Sequence, residues 1–96
     1  MLSIIIPAMN EAETIEKCLK SLEDQDFDRK EYEIIVVDGM SIDGTKEIAD
    51  IYADRVITQK SKGIGGARRD GVEGSNGDIL VFTDADTIHE SNWLKV

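Results

Sequence analysis

Several residue types are scarce in this 96-residue chain, and each scarcity excludes a class of structure. A single cysteine, Cys18, rules out an internal disulfide framework. A single proline and an ordinary share of charged residues argue against a disordered or low-complexity chain. The apolar run at residues 2–6 is too short to span a bilayer and lacks the flank of a signal peptide. We therefore expect a single cytoplasmic domain over residues 1–96, with peripheral membrane association left open.

The charge of the chain is strongly negative overall, with a formal net charge of -9. Nucleic-acid binding depends on clustered lysine and arginine, so we expect no nucleic-acid partner. Residues 55–69 are the exception, because they hold five basic side chains and no acidic one. This basic window favours an anionic ligand, although a solvated surface stretch would have the same composition.

Short apolar runs alternate with helical patterns along the chain. The predicted strands are residues 2–6, 34–37, 55–58 and 79–82. Apolar spacing predicts helices over residues 12–22, through Ile48 and Ile51, and over residues 67–72, and another helix begins near residue 91. Asn10 is the predicted cap of the first helix, and Ser41 or Asp43 that of the second.

This alternation predicts an α/β fold, with a mostly parallel sheet covered by helices on both faces. Ligands of such sheets bind at the carboxyl ends of the strands. Three polar segments follow strand ends here, at residues 7–10, 38–41 and 84–86. We expect them to meet along one edge, with Asp38 and Asp84 on the same side of the molecule.

The segment Asp84-Ala85-Asp86 carries the most specific chemistry. Two carboxylates separated by one small residue can approach one hard cation, and Mg²⁺ and Mn²⁺ take oxygen ligands and bridge to phosphates. Departure of a nucleoside diphosphate from a sugar develops negative charge that such an ion neutralises. A polar loop with a helix cap is the alternative explanation, and the position after a buried strand favours the metal site.

Two single residues near this edge each have two explanations. Asp38 could accept hydrogen bonds from a nucleobase or ribose, or it could satisfy loop amides in an Asx-turn. His89 lies three residues beyond Asp86 and could reach a metal, although a lone loop histidine more often has no such role.

The segment at residues 63–68, GIGGAR, has the glycine spacing of a dinucleotide-binding loop. It follows the third strand, and Arg68 stands where the third glycine belongs, so a Rossmann dehydrogenase is rejected. The glycines would let a loop or helix start pack closely, with Arg68 or Lys62 near a diphosphate. A flexible surface loop is equally compatible with these residues.

Four blocks together resemble the family 2 glycosyltransferases of the GT-A fold. They are IIIPAMNE at residues 4–11, IVVDGMSIDGT at 35–45, GGAR at 65–68 and GDILVFTDAD at 77–86. The blocks cover nearly the whole chain in the order of the family. The resemblance implies the Rossmann-like nucleotide-binding half of a metal-dependent enzyme, which transfers a sugar from a nucleoside-diphosphate sugar to an acceptor hydroxyl.

The resemblance also assigns roles to residues. It places Asp38 against the base and Arg68 near the diphosphate. The nucleotide pocket is lined by Pro7, Ala8, Asn10 and Glu11. The ribose and the metal-bound diphosphate are held by the segment Asp84, Ala85 and Asp86, with Asp84 and Asp86 as ligands of Mn²⁺ or Mg²⁺. The acceptor, whether a glycan, a lipid or a small molecule, is not specified.

Two departures from the family pattern stand out. Many members carry a second Asp that contacts the base, and Gly39 occupies that position here. Only ten residues follow Asp86, and none of them matches the acceptor-binding half with its catalytic base. We expect a truncated form or one half of a larger enzyme, prone to self-association through uncovered apolar surface and inactive in transfer alone.

Two other functions remain as alternatives. Residues 82–88, FTDADTI, match the first motif of haloacid-dehalogenase-type phosphatases, in which Asp84 would be the nucleophile. That motif normally opens its domain, whereas three β-α units precede it here. The second alternative is a non-catalytic nucleotide-binding fragment, which would bind nucleotide without transferring sugar.

Overall fold

The computed structural model describes residues 1–95 of the chain. Its strands are β1 (Leu2–Ala8), β2 (Tyr32–Asp38), β3 (Arg55–Thr58) and β4 (Ile79–Phe82). Its helices are α1 (Ile15–Glu23), α2 (Thr45–Tyr52) and α3 (Gly63–Gly74), with one-turn 3₁₀ helices at Arg29–Glu31 and Trp93–Lys95. No helix within these residues is both long and apolar enough to cross a bilayer.

The strands form one parallel sheet in the order β3-β2-β1-β4. The two central strands pair over their full length, from Leu2 opposite Tyr32 to Ala8 opposite Asp38. Their continuous apolar runs suit central positions, because helices cover both faces of a parallel sheet. The predicted α/β fold with a parallel sheet is confirmed.

Alternate residues of the central strands face two separate apolar layers. One layer packs beneath α1 and α2 and includes Ile4, Ile6, Ile34 and Val36. The other packs against α3 and includes Ile5, Ile35, Val37 and Ala67. The chain thus crosses from one face of the sheet to the other between α2 and α3, and its strand order reverses between β1 and β4.

Helix boundaries differ from the sequence expectation at four places. Asn10 does not cap α1, because it has a left-handed φ of 54° and α1 begins at Ile15 after Thr14. Gly44 is the residue directly before α2. Asp43, one residue before Gly44, accepts a hydrogen bond from the Thr45 amide. Helix α3 starts at Gly63, four residues before its predicted start. The helix expected near residue 91 is the 3₁₀ turn Trp93–Lys95, and residue 96 lies outside the described residues.

Two buried carboxylates hold loops at opposite edges of the sheet. Glu33, at the amino end of β2, accepts hydrogen bonds from Ser3 Oγ at 2.6 Å and from the Asn76 amide at 2.7 Å. Burial would raise its pKa, but these bonds and the nearby Arg55 outweigh burial and lower it. Glu33 therefore ties β1 and the entry to β4 to the centre of the sheet.

Asp70 plays the corresponding role at the carboxyl edge. It lies on α3, is 3% exposed, and accepts hydrogen bonds from the Ser61 amide at 3.0 Å and the Lys60 amide at 2.8 Å. The Ser61 hydroxyl donates a further bond at 2.7 Å. The bonds from Ser61 and Lys60 lower the pKa of Asp70. The loop after β3 is therefore fixed to α3 by one side chain.

Helix α3 lies so close to the sheet that only glycine fits at its point of contact. A Cβ at Gly71 would overlap the γ2 methyl of the fully buried Ile5 and crowd Val37. A Cβ at Gly65, in the same helix, would meet nothing within 4 Å. The two glycines therefore predict opposite responses to the same substitution.

We expect Gly71→Ala to destabilise the chain by about 1–3 kcal/mol, because a rigid β-branched neighbour cannot move away. Gly65→Ala should instead stabilise it by roughly 0.5–1 kcal/mol through the greater helix propensity of alanine. Urea unfolding followed by circular dichroism measures both free energies. Equal stability of the two variants would contradict the close packing of α3.

Stability should also fall in acid, because Glu33 and Asp70 are held ionised. Their pKa values in the fold lie below the ordinary 4.5 and 3.8, so the unfolded chain binds protons first as the pH falls. Their stabilisation is complete above those ordinary values and is lost as the pH falls through the folded values.

Asp70→Asn tests this directly through urea unfolding from neutral pH to about pH 3. The variant should be less stable than the parent at neutral pH, and this difference in the free energy of unfolding should become smaller in acid. Asp24→Asn, at an exposed site on the end of α1, is the control. If the difference in unfolding free energy between Asp70→Asn and the parent stays constant across this range, the contribution of the Asp70 hydrogen bonds does not depend on its charge.

Candidate functional site

A cleft of about 800 Å³ opens at the carboxyl edge of the sheet. Its walls are the segments that follow all four strands, together with the first turns of α3. Strand order reverses beside it, between β1 and β4. Such a reversal makes a ligand crevice in open α/β sheets, because the loops on its two sides diverge.

Most of the predicted site residues line this cleft. Those in its walls are Pro7, Ala8, Glu11, Arg68, Asp84, Ala85 and Asp86. Asn10 and Asp38 are not in the walls, although their chain neighbours Met9 and Gly39 are. The topology therefore gathers residues that are up to 79 positions apart in the sequence, from Pro7 to Asp86.

Asp38 lies at the end of β2 and is only 2% exposed. Its Oδ2 accepts a hydrogen bond from the Ser41 amide at 3.1 Å, which is the Asx-turn arrangement. Its Oδ1 is buried, and no donor within residues 1–95 reaches it. A buried carboxylate oxygen without a donor is costly, so Asp38 retains capacity to accept a further hydrogen bond.

Asn10 joins the loops that follow β1 and β2. Its amide donates to Ser41 Oγ at 2.8 Å, and its side-chain Oδ1 accepts from the Ile42 amide at 3.0 Å. Two residues later, the Ala12 amide donates to Asp43 at 3.1 Å. Asn10, Ser41 and Asp43 therefore stabilise the loops behind the cleft wall. Of these three predicted helix caps, only Asp43 also bonds the start of a helix, since its Oδ1 accepts from the Thr45 amide of α2. The other contacts were not predicted, because a local motif cannot show a partner 31 residues away.

The Asp-x-Asp segment follows β4 with its middle residue turned inward. Ala85 is 3% exposed and packs in the layer beneath α1, whereas Asp84 and Asp86 are exposed and line the cleft. The backbone carbonyl of Asp84 accepts hydrogen bonds from the Thr87 amide at 3.3 Å and the Cys18 thiol at 3.4 Å. Inward anchoring of Ala85 thus presents both neighbouring carboxylates to the cleft.

These carboxylates fit a divalent ion that is held together with a phosphate ligand. Within residues 1–95, no three or more acidic, histidine or cysteine side chains cluster closely enough to form a metal site. Mg²⁺ and Mn²⁺ are commonly bound by one or two carboxylates, with waters and substrate phosphates completing the shell. Asp84 and Asp86 match that donor set and do not match a closed structural metal site.

His89 is engaged elsewhere and does not join this pair. Its Nε2 lies 2.8 Å from Thr83 Oγ1, its ring centroid lies 4.1 Å from that of Trp93, and its amide donates to Ser21 Oγ. Burial lowers the pKa of its imidazole. His89 therefore connects the end of β4 with the C-terminal segment and with α1.

Three basic side chains line the cleft: Lys60, Lys62 and Arg68. The ion pairs within residues 1–95 involve other basic groups, so these three charges are uncompensated by direct contacts. The Arg68 guanidinium lies 5.7 Å from the ring centroid of Phe82. Asp70 fixes the loop that bears the two lysines. Nothing in the sequence of the basic window indicates this role of Asp70.

The structure explains why the glycine-rich segment contributes to the site. Helix α3 begins within it, and a Cβ at Gly66 would lie 2.5 Å from the Ser61 carbonyl carbon. The absence of a side chain therefore lets the start of α3 touch the loop after β3. This contact places Arg68 and Lys62 on the same cleft.

The chain matches the model of the family described as Glycosyl transferase family 2 over residues 3–96. Glycosyltransferase AglE of Haloferax volcanii is 41% identical, over 97% of this chain and 33% of AglE. S. aureus TarS 1–349 in complex with UDP has a TM-score of 0.86 at 30% identity, over 98% of this chain and 30% of that one. Mannosyltransferase PcManGT from Pyrobaculum calidifontis, in complex with GDP-Man and Mn²⁺, has a TM-score of 0.80 at 32% identity, covering 88% and 27%.

The chain therefore spans about a third or less of the length of these proteins. The matched region includes all the strands and helices described above and the segments that form the cleft. The sequence resemblance and the topology agree with these comparisons. The chain belongs to the glycosyl transferase family 2.

Proposed function

We propose that this chain is the donor-binding part of a glycosyltransferase that moves a sugar from a nucleoside-diphosphate sugar to an acceptor hydroxyl. The observation that carries the proposal is one cleft in which Asp84 and Asp86 share the walls with Lys60, Lys62 and Arg68. Carboxylates can bind a cation, and basic side chains can bind phosphate oxygens. A diphosphate with its divalent ion needs both kinds of group.

In this proposal the residues divide the work of binding. Arg68 and the lysines orient the phosphates, while Asp84 and Asp86 hold Mn²⁺ or Mg²⁺. The ion, when bound, neutralises the charge that develops on the departing diphosphate. Asp38, at the end of β2 behind the cleft wall, is assigned to the nucleoside end of the ligand, because its buried Oδ1 can accept a further hydrogen bond.

Two structural neighbours support this assignment. TarS 1–349 has been solved in complex with UDP, and PcManGT in complex with GDP-Man and Mn²⁺. Both share the fold of residues 1–95 at about 30% identity. A nucleotide, with or without a metal ion, therefore occupies proteins built on this fold.

No residue of the chain is assigned as the general base. A carboxylate that coordinates a cation is a weaker proton acceptor, so Asp84 and Asp86 are poor candidates. Nucleotide binding and sugar transfer are therefore separable properties, and nucleotide binding is the one that this cleft supports. Family membership argues against the phosphatase alternative, in which Asp84 would be a nucleophile.

We expect a nucleoside diphosphate to bind only weakly without a divalent ion, because Asp84 and Asp86 repel its phosphates. Calorimetry of UDP and GDP binding, with Mn²⁺ or with a chelator, measures the difference. Asp86→Asn should remove most of the metal dependence, at a cost of roughly tenfold or more in affinity. Asp24→Asn, outside the cleft, should leave both the affinity and its metal dependence unchanged. Equal binding with and without Mn²⁺ would exclude the metal-bridged arrangement.

Arg68 and Arg69 form a matched pair for testing the basic wall. Arg68 lines the cleft, whereas Arg69 is 74% exposed and pairs with Glu73 at 3.4 Å. Arg68→Ala should weaken binding of the diphosphate by about tenfold, the scale of one charged hydrogen bond. Arg69→Ala should change it less than twofold, on the order of a surface ion pair. If both variants bind alike, Arg68 does not contact the ligand.

A further inference from the structure

Gln59, the first residue after β3, lies in the wall of the cleft with its side-chain amide fixed by two bonds. Its Nε2 donates to the carbonyl oxygens of Ser61 at 2.6 Å and of Gly63 at 2.9 Å. Carbonyl oxygens can only accept, so the nitrogen of the amide must face them. Oε1 is therefore held on the opposite side, as an acceptor in a fixed orientation.

This oxygen is directed towards Gly39. A Cβ on Gly39 would lie 3.3 Å from Oε1 and 3.2 Å from the Cβ of Met9. The Gly39 amide cannot serve the oxygen, because it donates to the Ala8 carbonyl at 2.7 Å. No donor within residues 1–95 reaches Oε1, and this oxygen is not buried. Gly39 thus leaves a fixed acceptor open to the cleft.

Gln59 and the carboxylate pair lie at opposite ends of the cleft. Gln59 follows β3 and Asp84 follows β4, and these are the two outer strands of the sheet. Three strand spacings separate them, or about 14 Å. If the diphosphate lies beside Asp84 and Asp86, as the proposed function holds, an extended nucleotide directs its base towards Gln59.

We propose that Gln59 is a specificity-determining residue, whose Oε1 accepts a hydrogen bond from a protonated ring nitrogen on the edge of the base. Uracil N3 and guanine N1 carry that hydrogen. Cytosine N3 and adenine N1 do not, and each would set a lone pair against Oε1. A fixed acceptor discriminates strongly between such ligands, because the wrong one leaves it unpaired or repelled. This inference rests on the proposed function, since it needs a nucleotide in the cleft.

The test compares UDP with CDP, and GDP with ADP, by calorimetry in Mn²⁺. The parent chain should prefer UDP over CDP, or GDP over ADP, by about tenfold, and the pair that shows the preference identifies the base. Gln59→Met keeps the length of the side chain and removes its acceptor. The preference should then fall to within about twofold, because CDP or ADP no longer meets an opposing lone pair.

A purely structural role of Gln59 predicts a different result. Loss of its bonds to Ser61 and Gly63 would weaken all four nucleotides equally and leave the preference intact, which would overturn the proposal. Gly39→Ala is the second variant, to be used if Gln59→Met fails to fold. It places a methyl group against Oε1 without altering the amide bonds, and it should also reduce the preference.

The two proposals can fail separately. Binding of UDP no tighter than CDP, together with binding of GDP no tighter than ADP, would overturn the role of Gln59 and leave the proposed function standing. Binding of none of the four nucleotides in Mn²⁺ would overturn the proposed function, and this inference with it.

Discussion

The parallel pairing of β1 with β2 is the constraint on which the rest of the structure depends. Seven consecutive residues of each strand pair in register, and most of their side chains are buried, on both faces of the sheet. Parallel strands must end at the same edge, so the pairing of Ala8 with Asp38 brings the following loops together. The cleft, its loop-to-loop hydrogen bonds and the position of Asp38 all follow from that register.

Sequence periodicity predicted the sheet well for a physical reason. Strands buried on both faces need continuous apolar runs, and helices between them need a single apolar stripe, so each element leaves its own pattern. The start of helix α3 was not predicted by this periodicity. Its first turn contains Gly63, Gly65 and Gly66, which have poor helix propensity, and close packing against Ser61 outweighs that propensity.

The site was harder to predict than the fold, because its contacts are not local. The Asp-x-Asp segment could be placed at the carboxyl edge of the sheet from its position after a strand, and Arg68 was placed near the diphosphate by the family resemblance. The roles of Asn10, Asp70 and Gln59 could not be predicted, since each depends on which backbone amide or carbonyl lies opposite its side chain. Asn10 had a strong local signal for a helix cap, and its left-handed backbone instead directs it to the loop after β2. The partner of Asn10 is determined by tertiary packing, which cannot be read from a single sequence.

The charge of the cleft differs from that of the chain. The chain carries a net charge of -9, but the charged residues of the cleft are balanced. Three are basic, Lys60, Lys62 and Arg68, and three are acidic, Glu11, Asp84 and Asp86. A diphosphate entering alone would meet as many like charges as opposite ones, so it would gain little electrostatic energy. In the proposed function, a divalent ion on Asp84 and Asp86 would turn two repulsive groups into an attractive site and leave the basic wall free for the outer phosphate oxygens. The balance of charges in the cleft would then make binding of the ion and binding of the diphosphate depend on each other, whereas a more basic cleft would bind phosphate without that dependence.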